Sequence, residues 1–153
     1  MTAETKPKIT IDAGRLKHLE MLQQTITRMA NNSFLIKGWS ITLISALLAF
    51  ATKDKISIMA WVALLPWLTF WVLDGYFLHQ ERLFRQLFDR YRKEAHDTPT
   101  DFSMNTQVVR EAVAPVQQVI FSKTLIIFHG FLGTLIIAII ALAHWGLITS
   151  GSC

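Results

Sequence analysis

Cysteine is almost absent from this 153-residue sequence, since Cys153 is the only one. A single cysteine excludes a disulfide framework and a cysteine-based metal site within the chain. A signal-peptide pattern is also missing, because the first apolar run begins only after some thirty polar and amphipathic residues.

Catalytic motifs are missing as well. The sequence contains no GxSxG, no HExxH and no glycine-rich phosphate loop. Asp74, His79 and Glu81 are close in sequence, but at 100° per helical residue His79 falls about 140° away from Asp74. We therefore predict that the protein is not an enzyme and uses no cofactor and no metal. The formal net charge of +4 alone could suggest nucleic acid, but in a membrane protein basic residues set orientation, and no nucleic-acid partner is expected.

Long apolar runs are what the sequence has in abundance, with 52% hydrophobic and only 17% charged residues. Residues 34–52 and 56–78 are each long enough, at about 1.5 Å per helical residue, to cross a hydrocarbon layer of about 30 Å. The turn of Lys53, Asp54 and Lys55 between them is so short that the two helices must be antiparallel. A third apolar run covers residues 123–149.

Amphipathic segments flank the apolar runs. Leu19, Leu22, Ile26, Met29 and Ser33 follow a 3-4-3-4 spacing that places them on one helix face. This helix is expected to continue into the first span, because only Gly14 interrupts it. Two further stripes, within 84–91 and 109–120, could bury the first one in a small bundle.

The predicted fold is an all-α polytopic membrane protein with three transmembrane helices and a cytoplasmic amphipathic helical bundle. Its predicted segments are an N-terminal cytoplasmic helix (1–33), a transmembrane hairpin (34–78), a cytoplasmic helical segment (79–122) and a third transmembrane helix (123–149). All but two of the 15 Lys and Arg residues lie outside the hairpin turn. The positive-inside rule then places the N-terminus in the cytoplasm and the C-terminus outside.

Small residues and tryptophans give the spans further features. We expect small side chains to form helix-packing faces, where backbones approach closely. Pro66 predicts a kink near 62–66, and Trp61 and Trp71 suit aromatic belts at opposite ends of the second span. The helix-packing candidates are Ser45, Ala49, Gly130, Thr134 and Ala138.

Three ionisable residues are the pore or gating candidates. Lys37 and Asp74 lie 17 and 20 residues from Asp54 at the turn, so they reach a similar depth near the inner boundary. They could form an ion pair, or Lys37 could extend to the interface while Asp74 sits in headgroup water. His129 lies about two turns into the third span, as a proton relay or ligand on one reading and a packing residue on the other.

The stretches RMANNSFLIKGWSITL and LLPWLTFWVLDGYFLHQERLFRQLFD, joined through the KDK turn, resemble a family of small bacterial inner-membrane proteins. In outline they are similar to SLATT-type proteins, in which a two-span hairpin carries amphipathic cytosolic helices. This sequence departs from that outline by its third span. The resemblance implies a membrane effector of a bacterial conflict system that forms pores when a partner senses infection. The residues that carry it are Asn31, Ser33, Lys37, Gly38, Trp39, Asp74, Tyr76, Gln80, Glu81, Arg82 and Phe84.

The expected function is accordingly a homo-oligomeric inner-membrane effector of an antiphage or stress system, with the lipid bilayer and a cytosolic sensor protein as partners. One alternative is a non-conducting anchor that recruits a cytosolic protein through Arg82, Arg85 and Arg92. A weaker alternative is a small ion or proton transporter subunit that uses Asp74 and His129.

Overall fold

The computed structural model describes residues 12–53, 58–94 and 101–145, and every regular element in these ranges is helical. Several sequence predictions lie outside the described residues: those for the turn residues Asp54 and Lys55, and for both chain ends including Cys153. The helices are α1 (Ala13–Lys53), α2 (Ile58–Val62), α3 (Leu64–Lys93), a 3-10 helix (Thr106–Ala112), α4 (Val116–Ile120) and α5 (Lys123–His144).

Helix α1 runs for 41 residues without a break, a length of about 60 Å. It contains no proline, so no backbone donor is lost along it. This confirms that the N-terminal amphipathic helix continues directly into the first apolar run. One face is buried along the whole helix, and it comprises Arg15, His18, Leu22, Thr25, Ile26, Ser33, Ile36, Ser40, Ile44, Leu48 and Ala51.

The second apolar run is interrupted where proline predicts it. Helix α2 ends at Val62 and α3 begins at Leu64, with Ala63 between them still in helical backbone geometry. Pro66 has no N–H to donate to the Val62 carbonyl. The neighbouring bonds are kept: Ala63 donates to Met59 at 3.1 Å, and Trp67 to Ala63 at 3.2 Å. The interruption is therefore one missing hydrogen bond rather than a change of direction into a loop.

Between α3 and α5 the chain returns along α3. The predicted amphipathic helix in this segment is a 3-10 helix, whose Asn105 side chain accepts from the Gln107 N–H. Pro115 then caps α4. The last residue of α4, Ile120, packs directly against Gly75 of α3, where a Cβ atom would lie 2.4 Å from Ile120 Cγ1. Gly75 thus permits the close approach that delivers the chain to the start of α5.

The described residues form two apolar cores. One core lies in a half of the molecule with a polar surface, and the other lies in a half with an apolar surface. The polar-surface half comprises residues 12–33, 79–94 and 101–122, and its core is built on Leu22, Leu83, Leu87 and Val109. The apolar-surface half comprises residues 34–53, 58–78 and 123–145, and its core includes Ile44, Leu48, Leu132 and Ile136. Helices α1 and α3 cross from one half to the other without interruption.

The outer surfaces of the two halves differ sharply. Nearly all exposed large apolar side chains of the described residues lie in the apolar-surface half; the five exceptions are Leu16, Met21, Phe102, Val108 and Phe121. Three helical stretches are long and apolar enough to cross a membrane: Ala13–Ala51, Ile58–Lys93 and Lys123–His144. The prediction of an all-helical chain with three helices of this kind is confirmed.

Candidate functional site

A charged cluster is buried where the two halves meet. Asp74 of α3 is fully buried and receives side chains from two other helices. From α1, Lys37 Nζ lies 2.6 Å from Asp74 Oδ2 and 2.8 Å from Oδ1, and the Ser33 hydroxyl donates to Oδ1. From α5, His129 Nε2 lies 3.1 Å from Oδ2. We call Ser33, Lys37, Asp74 and His129 the junction cluster.

The helical spacing of α1 explains why two of its residues reach one carboxylate. Ser33 and Lys37 are four residues apart and therefore lie one above the other on the same face. Lys37 Nζ also donates to Ser33 Oγ at 2.8 Å, so both side chains are tied to each other as well as to Asp74. The lysine side chain remains 22% exposed, whereas that of Asp74 is 0% exposed. Asp74 is thus the more buried member of the ion pair.

Hydrogen-bond directions indicate the charge state of the junction cluster. An ammonium and a hydroxyl both donate to the Asp74 oxygens, so the carboxylate acts as an acceptor and is ionised. His129 then donates from Nε2, and its buried Nδ1 has no hydrogen-bond partner among the described residues. The Asp74 carboxylate is thus paired with Lys37, and the imidazole adds a further hydrogen bond to it.

Aromatic residues enclose the imidazole. The Trp71 ring is nearly parallel to that of His129, with 5.9 Å between centroids and 9° between planes, and Phe128 meets it edge-on at 5.0 Å. The Lys37 ammonium also lies 5.9 Å from the Phe128 ring centre. These rings exclude water from the histidine side of the cluster, which strengthens its electrostatic interactions.

Two tryptophans fix α3 against its neighbours through backbone hydrogen bonds. Trp67 Nε1 donates to the His129 carbonyl at 2.7 Å, and Trp71 Nε1 donates to the Ile120 carbonyl at 3.0 Å. Gly133 makes room for Trp67, because a Cβ atom there would lie 2.7 Å from the indole ring. Trp71, which the sequence assigned to an interfacial belt, instead packs inside the chain. Trp61 is 59% exposed, as an anchor requires.

The structure brings together all three pore or gating candidates, Lys37, Asp74 and His129, and it forms the predicted ion pair. Sequence reasoning missed Ser33 as a ligand of Asp74 and missed the two tryptophans. The signal for Ser33 was its position four residues before Lys37 on the buried stripe. The histidine is both a packing residue and a partner of the carboxylate.

The helix-packing candidates lie outside the buried core of the described residues. Ser45 and Ala49 of α1 and Thr134 and Ala138 of α5 are exposed, and a Cβ atom at Gly130 would meet nothing within 4 Å. The packing face of α5 is instead formed by Leu125, His129, Leu132, Gly133 and Ile136. Within the single chain α5 therefore packs through another face, and the prediction that the Gly130 face makes close helix contacts stays a prediction. Hydrogen bonding and ring stacking at His129 and Trp67 select the other face.

The basic candidates lie apart from the junction cluster, on the later turns of α3. Arg85 is exposed and pairs with Glu81 at 2.6 Å, and Arg92 is exposed and pairs with Asp89 at 3.2 Å. Arg82 is half-buried. Among the described residues, no group of three or more His, Cys, Asp or Glu side chains could hold a metal ion.

Comparison with protein-family models, with curated proteins and with solved structures finds no match for this chain. The resemblance to SLATT-type proteins stays a prediction.

Proposed function

We propose that this protein is a bacterial inner-membrane effector that assembles as a homo-oligomer and permeabilises the bilayer, and that the junction cluster holds it closed. The observation that carries the proposal is the buried ion pair at the point where two continuous helices pass from the polar-surface half to the apolar-surface half. Ionisable residues at membrane depth are costly and are retained mainly for function.

Membrane insertion is supported by the surface of the apolar half. Phe34, Leu65, Ile127, Phe131 and Trp145 are each more than 70% exposed. Apolar surface on this scale is unfavourable in water and favourable in lipid. The proposed orientation follows the basic residues, with the polar-surface half in the cytoplasm and the C-terminus outside.

A closed resting state is supported by the burial of Asp74. In this structure the carboxylate of Asp74 contacts side chains of α1 and α5 and has no exposed surface, so it does not line a water-filled path. Conduction would require α1, α3 and α5 to separate at the cluster. A displacement of α1 or α3 in the polar-surface half would be transmitted directly to the junction cluster, because neither helix is broken between that half and the cluster.

The effector role can be tested by ion flux into liposomes that contain the purified protein. We expect Lys37→Met to raise the basal flux about tenfold or more, since losing 1.4 kcal/mol of closed-state stability is enough for a factor of ten. Lys37→Arg should restore a low flux, and Lys17→Gln, at an exposed position of α1, should leave it unchanged. Equal flux in all four proteins would contradict the proposal, as would a monomer in nanodiscs by light scattering or native mass spectrometry.

A second candidate function is favoured by the 3.1 Å contact between His129 and Asp74. A carboxylate and an imidazole in contact can exchange a proton, which suits a small ion or proton transporter subunit. Proton uptake into liposomes that His129→Gln abolishes, without any flux of other ions, would select this function over the effector.

The anchor function is favoured by the exposed guanidinium groups of Arg85 and Arg92. Capture of one cytosolic protein by the wild-type chain, lost when both arginines are replaced by glutamate and accompanied by no ion flux, would select it.

A further inference from the structure

A polar cavity lies between α3 and the 3-10 helix, on the side of the polar-surface half that borders the apolar one. Its volume is about 200 Å³. The junction cluster does not contribute to it, and none of the three functions above uses it. Its lining residues are His79, Gln80, Leu83, Thr106, Gln107 and Arg110.

The charge of this cavity is positive. None of the described carboxylates lines it, and Arg110 and Arg82 act electrostatically on His79. Glu81, two residues after His79, is bound by Arg85 at 2.6 Å. Neither Arg82 nor Arg110 forms an ion pair with a described residue. A guanidinium without a carboxylate partner has donors left for another anion.

Neutral donors complete the site. Gln80, Thr106 and Gln107 line the cavity. The two glutamines carry amide N–H groups and the threonine carries a hydroxyl. Arg110 is held loosely towards the cavity by Gln107, whose Oε1 lies 3.5 Å from Nη1. Leu83, which is 5% exposed, belongs to the apolar core beneath and closes the base. A small anion would thus meet a guanidinium, an imidazole, amides and a hydroxyl.

The cavity lies at a defined height above the junction cluster. His79 is five residues beyond Asp74 on α3, which is about 7.5 Å along the helix axis. A bilayer has about 30 Å of hydrocarbon within 40–45 Å in total, so each headgroup layer is about 5–7.5 Å thick. In the membrane placement proposed above, on which this step rests, the cavity is level with the lipid phosphates.

We propose that this cavity binds a phosphate-bearing anion, with Arg110 as the principal ligand and His79 and Thr106 as further donors. The phosphate can belong to an anionic lipid headgroup or to a soluble phosphate compound. The recognition chemistry is the same for both, since guanidinium and neutral donors contact the non-bridging oxygens.

Native mass spectrometry of the full chain in a zwitterionic detergent tests this proposal and requires no conductance. The probes are phosphatidylglycerol, phosphatidylcholine and inorganic pyrophosphate, each titrated separately. We expect Arg110→Gln to weaken binding of the anionic probe about tenfold, equivalent to about 1.4 kcal/mol. His79→Gln should weaken it less. Arg92→Gln is the matched control, because it removes the same charge from an exposed arginine away from the cavity.

The outcomes separate the two sources of the phosphate. Binding of phosphatidylglycerol that depends on Arg110 and resists pyrophosphate identifies a lipid headgroup site. Binding of pyrophosphate that depends on Arg110, with no preference for the anionic lipid, identifies a soluble phosphate ligand. If Arg110→Gln and Arg92→Gln reduce binding equally, or if neither probe binds, the proposal is overturned. A monomeric, non-conducting protein that still shows Arg110-dependent binding would refute the effector function alone.

Discussion

The two halves of the molecule each bury one strongly charged side chain, and they neutralise it in different ways. In the polar-surface half, Arg15 donates to the backbone carbonyls of Tyr91 at 2.8 Å, Arg92 at 3.4 Å and Glu94 at 2.6 Å. In the apolar-surface half, Asp74 is met only by side chains.

The difference follows from helix geometry. The last carbonyls of a helix have no partner within the helix and carry the negative end of its dipole, so the end of α3 offers acceptors to a cation. Asp74 lies in the middle of the same helix, where every backbone group is already used. A charge buried there must be neutralised by side chains from neighbouring helices, which makes the junction cluster dependent on the position of α1 and α5.

The largest effect should come from removing Lys37. Lys37→Met leaves a buried carboxylate without its cation, and we expect a loss of about 3 kcal/mol in the free energy of unfolding. Asp74→Asn should cost less, about 1 kcal/mol, because the lysine is partly exposed and can reach water. The double change Lys37→Met with Asp74→Asn should recover part of the loss, because the neutral amide still offers an acceptor to Ser33 and His129. Unfolding in mixed micelles followed by circular dichroism measures all three, and a double variant no better than Lys37→Met would contradict this account.

The next effect concerns the close contacts that hold α3 in place. Gly75→Ala must displace the Ile120 backbone, whose Cα would lie 3.2 Å from the new Cβ, and we expect about 1–3 kcal/mol of destabilisation. Gly38→Ala and Gly130→Ala are matched controls with nothing within 4 Å, and they should stabilise by about 0.5–1 kcal/mol. Thermal unfolding of the three variants checks this, and a harmless Gly75→Ala would show that α4 does not rest on α3.

Loss of the Arg15 contacts should have a smaller effect, confined to the polar-surface half. Arg15→Gln removes charge-assisted hydrogen bonds to the end of α3 and should cost about 1–2 kcal/mol. Faster hydrogen exchange should appear in the last turn of α3 but not around Asp74. Lys17→Gln removes an exposed charge two residues away and should cost at most about 0.5 kcal/mol. Faster exchange throughout α3 would mean that the two halves unfold together.

The smallest effect is pH-dependent and involves Asp101. The Ser103 N–H donates to its carboxylate at 2.9 Å, and Tyr91 adds a second hydrogen bond, so the pKa of Asp101 is lowered from 3.8. A lowered pKa in the folded state stabilises above pH 3.8, and this contribution is lost as the pH falls through the folded-state value. The stability difference between wild type and Asp101→Asn should therefore shrink below pH 3.8, and a constant difference would contradict the assignment.

The sequence predicts well how far along a helix a residue lies, but it predicts poorly which face of the helix packs against its neighbours. Counting residues from the hairpin turn placed Lys37 and Asp74 at one level, because a helix rises by a fixed amount per residue. The face that α5 presents within the chain depends on contacts with other helices, and the small-residue pattern around Gly130 indicated a different face. His129 therefore had a predicted depth but no predicted partner.

Polar residues on the buried stripe of α1 escaped prediction for a related reason. Arg15 and His18 occupy the same face as Leu22, but the predicted stripe began only at Leu19 and included neither of them. Both are buried because the end of α3 and the Ser103 carbonyl supply acceptors. Those acceptors come from parts of the chain more than 70 residues away, which no local pattern reveals.

The ion pair between Lys37 and Asp74 has a consequence for the order in which the helices assemble during synthesis. Both residues belong to the first two long helices, so the pair can close during synthesis, before residues 123–144 have left the ribosome. The nascent hairpin therefore carries no net buried charge while it waits for α5. His129 then docks onto a pair whose charges already balance. The third long helix, α5, completes the fold without being needed to compensate a buried charge.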